Sequence, residues 1–165
     1  MCPPMPNDER GSLSSRRRVV LVESHALLGA MLAMRLDQEP DFEVAALCAS
    51  LAQARNVDLR KCDLAIIDVY LPDGSGAELI RELHDAVARP IPAIALTEVR
   101  DPKVDARASR AGASEVLTLD VGFDDIIEAS RRLCLGEGAK RGVVASEAGQ
   151  IASAHPPARE RPSVG

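Results

Sequence analysis

The side chains of this 165-residue chain that are equipped for chemistry stand at the ends of short apolar runs. Val19-Val20-Leu21-Val22 runs into Glu23-Ser24-His25, and Leu64-Ala65-Ile66-Ile67 runs into Asp68. Ile94-Ala95-Leu96 leads to Thr97-Glu98, and Glu115-Val116-Leu117-Thr118 leads to Leu119-Asp120. A carboxylate can hold a cation or act as a nucleophile, and a hydroxyl can hydrogen-bond an anion. Other kinds of site find little support. Cys2, Cys48, Cys62 and Cys134 are widely spaced, form no C-x-x-C pair and have no His at metal-ligand spacing. Gly74 and Gly76 read as turn residues, because no G-x-G-x-x-G or P-loop pattern surrounds them. His25 reads as a helix-start or surface residue, His84 lies on a helix surface, and His155 lies in the tail.

These ends meet only if the runs lie side by side, and the alternation of patterns says that they do. Val19–Val22, Phe42–Leu47, Asp63–Asp68, Ile91–Thr97 and Glu115–Leu119 read as strands. The first is β-branched at three of four places and unbroken, as suits a strand covered on both faces. Between and after them, Ala26–Leu36, Leu51–Leu59, Gly76–Val87, Pro102–Ala111 and Asp124–Leu133 read as helices. Leu27, Leu28, Met31, Leu32 and Met34 fall near helical spacing in the first. Ser50 is placed to cap the second, and Asp101-Pro102 and Gly112 bracket the fourth. Strands alternating with helices imply an α/β fold, a doubly wound parallel sheet with helices on both faces. Ligands of such sheets bind beyond the carboxyl ends of the strands, so Glu23, Asp68 and Thr97 converge on one edge.

Composition narrows the function. Apolar residues make up 46%, enough for a core. Aromatics are only 2% (Phe42, Tyr70 and Phe123), which argues against a surface for stacking single-stranded nucleic acid. The net charge is -5, and all of the negative excess lies in residues 19–134, so the molecule does not read as a basic nucleic-acid binder. No segment has the length of a membrane span or the pattern of a signal peptide, and reduced cysteines in the cytoplasm are the simplest reading. Residues 1–17 read as a flexible leader, 18–134 as the domain, and 135–165 as a linker-like, largely disordered tail. Val144, Ala148, Ile151 and Ala152 would make one weak helix there at most.

Val19-Val-Leu-Val-Glu-Ser-His25, Asp63-Leu-Ala-Ile-Ile-Asp-Val-Tyr-Leu-Pro-Asp-Gly-Ser-Gly76, Ile94-Ala-Leu-Thr97 and Arg110-Ala-Gly-Ala-Ser114 together resemble the receiver domain of bacterial two-component response regulators. The most specific piece is Asp68-x-x-Leu-Pro-Asp-Gly-x-Gly, and the His after the acid position is similar to the nitrate-regulator subgroup. The resemblance implies a flavodoxin-like (βα)5 fold with strand order 2-1-3-4-5. It implies that Asp68 is the phosphoacceptor and Thr97 the switch hydroxyl. It also implies Mg²⁺, held by Asp68, Glu23 and the backbone carbonyl of Tyr70, with Ser24 a weak ligand. The partner would be a sensor histidine kinase or another signalling protein, with homodimer formation left open. Output would pass by protein contact through the fourth helix, fifth strand and fifth helix. The tail holds too few helix candidates for sequence-specific DNA binding to be expected, and no enzyme activity or membrane association is expected.

Four positions depart from the family pattern. Ser24 stands where a second acid is usual, Leu119 where a Lys is usual, Val116 where an aromatic is frequent, and Glu98 where a small residue is usual. Unit charges about 4 Å apart interact by about 4 kcal/mol at an effective dielectric near 20, so each lost charge matters. Arg100 or Lys103 is the candidate replacement cation. Three readings stand: a phosphorelay receiver, a phosphorylation-independent pseudo-receiver that binds a partner, and, lowest, a small phosphohydrolase using Asp68. Taken alone, Asp68 also reads as a buried aspartate ending a strand, and Thr97 as a strand-end Thr capping a loop.

Overall fold

A computed structural model describes residues 16–85 and 90–134. Of the leader reading for residues 1–17, residues 1–15 lie outside the described residues, as do the last turn expected for the third helix and the tail 135–165, while Arg17 already opens the first strand.

The strands are β1 (Arg17–Val22), β2 (Phe42–Cys48), β3 (Leu64–Asp68), β4 (Ala93–Thr97) and β5 (Glu115–Thr118). The helices are α1 (Ala26–Asp37), α2 (Leu51–Arg55), α3 (Gly76–Asp85), α4 (Pro102–Ala111) and α5 (Phe123–Cys134). The strands form one parallel sheet in the order β2-β1-β3-β4-β5, the order expected. Every residue of β3 and β4 is buried, which is why both read as unbroken apolar runs. One face of the sheet carries Val20, Val22, Ala65 and Ile67 against Leu51, Leu79, Ile80 and Ala108. The other carries Leu21, Ile66, Ile94 and Leu96 against Leu32, Leu36, Ile126 and Ile127.

Two helices differ from expectation. In α1 the buried residues are Gly29, Leu32 and Leu36, while Leu27, Met31 and Met34 are exposed. The apolar residues there spread around the helix, and the sheet accepts the face with the smallest residue: a Cβ on Gly29 would lie 3.1 Å from Leu47 Cδ1 and 3.3 Å from Glu23 Cγ. The second helix ends at Arg55 instead of Leu59. Asn56 closes it, its Nδ2 donating to the Ala52 carbonyl at 3.0 Å, and Leu59–Lys61 forms a separate 3₁₀ turn.

The Leu-Pro-Asp-Gly segment folds as a short hairpin, Tyr70–Leu71 pairing with Gly74–Ser75. Its Asp73 carboxylate accepts the Leu51 and Ala52 amides at 2.9 Å each, and Ser50 Oγ accepts the Gln53 amide at 3.2 Å. The loop leaving β3 is thus tied to the first turn of α2. Those amides hold the Asp73 carboxyl below its ordinary pKa. Asp73→Ala is therefore expected to lower Tm at neutral pH. A depressed folded pKa gives stability that is lost as pH falls through it, so the gap between variant and wild type closes in acid. Thermal melts across acid pH check this.

Candidate functional site

Three strand ends build the site. β1 delivers Glu23, whose amide donates to the Cys48 carbonyl at 2.8 Å and so continues the sheet by one residue. β3 delivers Asp68, and β4 delivers Thr97. All three are nearly inaccessible: Glu23 is 2% exposed, Asp68 5% and Thr97 0%.

Asp68 Oδ1 accepts the Tyr70 amide at 2.8 Å, and Oδ2 accepts the Ser24 hydroxyl at 3.4 Å. Burial pushes its carboxyl up to about 6, and the Glu23 charge pushes the same way. The Tyr70 amide, the Ser24 hydroxyl and His25 pull against them without winning. Glu23 Oε1 accepts the His25 amide at 2.8 Å, while Glu23 Oε2 is buried with no hydrogen-bond partner. The backbone closes tightly behind Asp68: a Cβ on Gly76 would lie 2.1 Å from the Asp68 carbonyl oxygen.

The expected residues are not all arranged for one another. The Thr97 hydroxyl donates to the Val99 carbonyl at 3.0 Å, so it serves the loop after β4 and not Asp68. Leu119 opens a 3₁₀ turn after β5 and packs on the core cluster that contains Leu96 and Ile126. Val116 packs on the opposite cluster. Arg100 and Lys103 are exposed, and neither supplies the replacement cation: among the described residues no Lys or Arg pairs with Asp68 or Glu23. Asp101 caps the Lys103 amide at 2.8 Å, which fixes Lys103 in the exposed first turn of α4.

The nitrogen-bearing side chain beside the carboxylates is one the spacing did not single out. His25 caps α1 without a side-chain bond to it, and instead lies between two carboxylates. Its Nδ1 is 3.3 Å from Glu23 Oε1 and its Nε2 3.7 Å from Glu98 Oε1. Glu98, from the loop after β4, therefore stands beside His25 on the exposed side of the cluster. Ligand atoms of Glu23, His25 and Asp68 all lie within 4.8 Å of one another.

The sequence matches the response regulator receiver domain family over residues 19–131. The chain belongs to that family. Among curated relatives of this receiver, the DNA-binding transcriptional activator DevR/DosR of Mycobacterium tuberculosis is 31% identical over 105 residues, 63% of this chain and 48% of that protein. The transcriptional regulatory protein DpiA of Escherichia coli is 32% identical over 107 residues, 64% of this chain and 47% of that protein. The receiver thus spans about half the length of these relatives. A LuxR-family response regulator from Aurantimonas sp. superposes with a TM-score of 0.68 at 22% identity, covering 74% of this chain and 87% of that one. The receiver domain of the response regulator NarL from Mycobacterium tuberculosis gives a TM-score of 0.67 at 20% identity, covering 73% and 98%. No helix among the described residues is long and apolar enough to cross a membrane.

Receivers bind Mg²⁺ in an acidic pocket, and the residues here suit a divalent cation. Two buried carboxylates lie side by side, and one oxygen of Glu23 has no other partner. Glu23 and Asp68 would hold the ion, with the Tyr70 carbonyl and Ser24 hydroxyl as neutral donors. Bound, it would neutralise the pair and lower the charge that meets an incoming anion. Ser24 adds no charge to that set; its O–H donates to Asp68 at 3.4 Å, which leaves the oxygen lone pairs for an ion.

Proposed function

We propose that this receiver is a cytoplasmic signalling module that binds a partner protein without depending on phosphorylation of Asp68. The observation that carries the reading is the side chain at the end of β5. Where a phosphorylatable site needs a cation reaching the acceptor carboxylate, the half-buried, uncharged Leu119 instead packs against the core. Thr97 is engaged with Val99, and the exposed Glu98 adds a carboxylate beside His25, a charge that opposes the approach of an anionic phosphodonor. The α4–β5–α5 face is the contact surface for the partner.

A second reading keeps Asp68 as the phosphoacceptor fed by a sensor histidine kinase. It is favoured by the position of Asp68 at the end of the central strand, held by Tyr70 and backed by Gly76. Beryllofluoride with Mg²⁺ separates the two. The expected result is no saturable shift of the amides near Asp68, Thr97 and Leu119 by NMR at millimolar Mg²⁺. Saturable shifts abolished in Asp68→Ala would overturn the proposal in favour of phosphorelay. The pair Ser24→Asp with Leu119→Lys puts back one anion and one cation, the Lys stem lying on the apolar surface that Leu119 now covers. At about 4 kcal/mol per close charge pair before solvent screening, gains in beryllofluoride affinity above about 100-fold are expected in that variant.

A further inference from the structure

We infer that Glu23, His25 and Asp68 form a site for a divalent transition-metal ion of the Zn²⁺ class, with His25 a ligand and Glu98 its outer partner. The inference goes beyond the reading above and does not rest on it, since a site closed to phosphoryl chemistry can still take a metal.

Three observations carry it. First, ligand atoms of the three residues already lie within 4.8 Å of one another. Zn²⁺ ligands stand about 2.0–2.2 Å from the ion, so two of them are about 4 Å apart or less, and only a small closing movement is needed. The His25 side chain is 62% exposed and can make it by rotation. Second, Glu23 is 2% exposed and its Oε2 has no hydrogen-bond partner. A buried carboxylate oxygen left without a partner is costly, and a cation would satisfy it. Third, the imidazole has a carboxylate at each nitrogen. Nδ1 faces the buried Glu23, and Nε2 faces Glu98 across 3.7 Å. Metal-bound histidines commonly donate their second N–H to a carboxylate, which fixes the tautomer and the ring plane. Glu98 is placed for that role.

The donor set also selects the metal. Mg²⁺ demands near-octahedral oxygen ligands, and the position that would add a third oxygen anion is Ser24. An imidazole with two carboxylates suits Zn²⁺ and its first-row neighbours, with water completing the shell.

Co²⁺ is the probe, because its absorption bands report coordination directly. The expected result is saturable one-to-one Co²⁺ binding in excess Mg²⁺, reversed by Zn²⁺. His25→Ala, an exposed position, is expected to keep the wild-type melting curve without metal and to lose the saturable bands. Glu98→Ala is expected to weaken binding by about 10- to 100-fold, as loss of an outer-shell carboxylate does. Co²⁺ bands that are absent in the wild type, or unchanged in His25→Ala, would overturn the inference. The beryllofluoride experiment is read separately, so a response there with no Co²⁺ bands sinks this inference and the pseudo-receiver together, whereas silence in both sinks only this one.

Discussion

Asp68→Asn is expected to stabilise the folded domain at neutral pH by about 3 kcal/mol, raising Tm by roughly 10 °C. The carboxyl is 5% exposed, and burial together with Glu23 raises its pKa to about 6. An aspartate in the unfolded chain titrates near 3.9. Between those values the folded state holds the proton more tightly, so stability falls as pH rises from about 4 to about 6 and stays low above it. The amide removes the charge and keeps the shape. Its oxygen can still accept the Tyr70 amide, and its nitrogen can face the Ser24 oxygen. The gain should vanish below about pH 4, where both proteins are neutral at this position. Urea unfolding of both proteins with chelator present, from pH 4 to pH 8, checks it. A stability difference that does not change with pH would mean that the buried charge is not its source. A site that holds such a group at the expense of stability is a site kept for binding.

How much of this was readable in advance differs from residue to residue. β3 and β4 were plain because both of their faces are covered, so every position must be apolar up to the polar end residue. The Asp101-Pro102 start and Gly112 end of α4 were plain because each has a local cause: the Asp101 cap, and a φ of 108° at Gly112 that favours glycine. The face of α1 was not readable. Leu27, Met31 and Met34 compete with Leu32 and Leu36 in periodicity, and only the close approach of Gly29 to Leu47 and Glu23 decides. In the site, Glu23, Asp68 and Thr97 stand at or just past strand ends, positions that the alternation of apolar runs already marks in the sequence. The substitutions at Ser24, Val116 and Leu119 were visible as residue types, and packing then showed where the Val116 and Leu119 side chains go. The approach of His25 to Glu98 joins two loops that follow different strands, a contact that no spacing along the chain encodes. Asp73 was visible as part of a turn, but its hold on α2 depends on where that helix starts in space.

Gly76→Ala should show how far the backbone and the charge at Asp68 depend on each other. The added Cβ would lie 2.1 Å from the Asp68 carbonyl oxygen, 2.9 Å from its carbonyl carbon and 2.8 Å from Ile67 Cγ2. Two of these neighbours are backbone of a central strand bonded on both sides, so no flexible side chain can give way. Overpacking of this kind commonly costs about 1–3 kcal/mol, and here about 3 kcal/mol or more is expected because the strand itself must move. The Gly76 amide donates to the Val69 carbonyl at 3.1 Å, so a shift at residue 76 pulls on the segment that presents Tyr70 to Asp68. Moving Asp68 outward rehydrates its carboxylate, and rehydration removes the cause of its raised pKa. The two effects therefore should not add. In the Gly76→Ala background, Asp68→Asn is expected to gain much less than its roughly 3 kcal/mol in the parent, a coupling that a double-mutant cycle by urea unfolding measures directly. An undiminished gain would mean that the carboxylate stays buried while the backbone relaxes elsewhere, and that Gly76 serves the strand without positioning the charge.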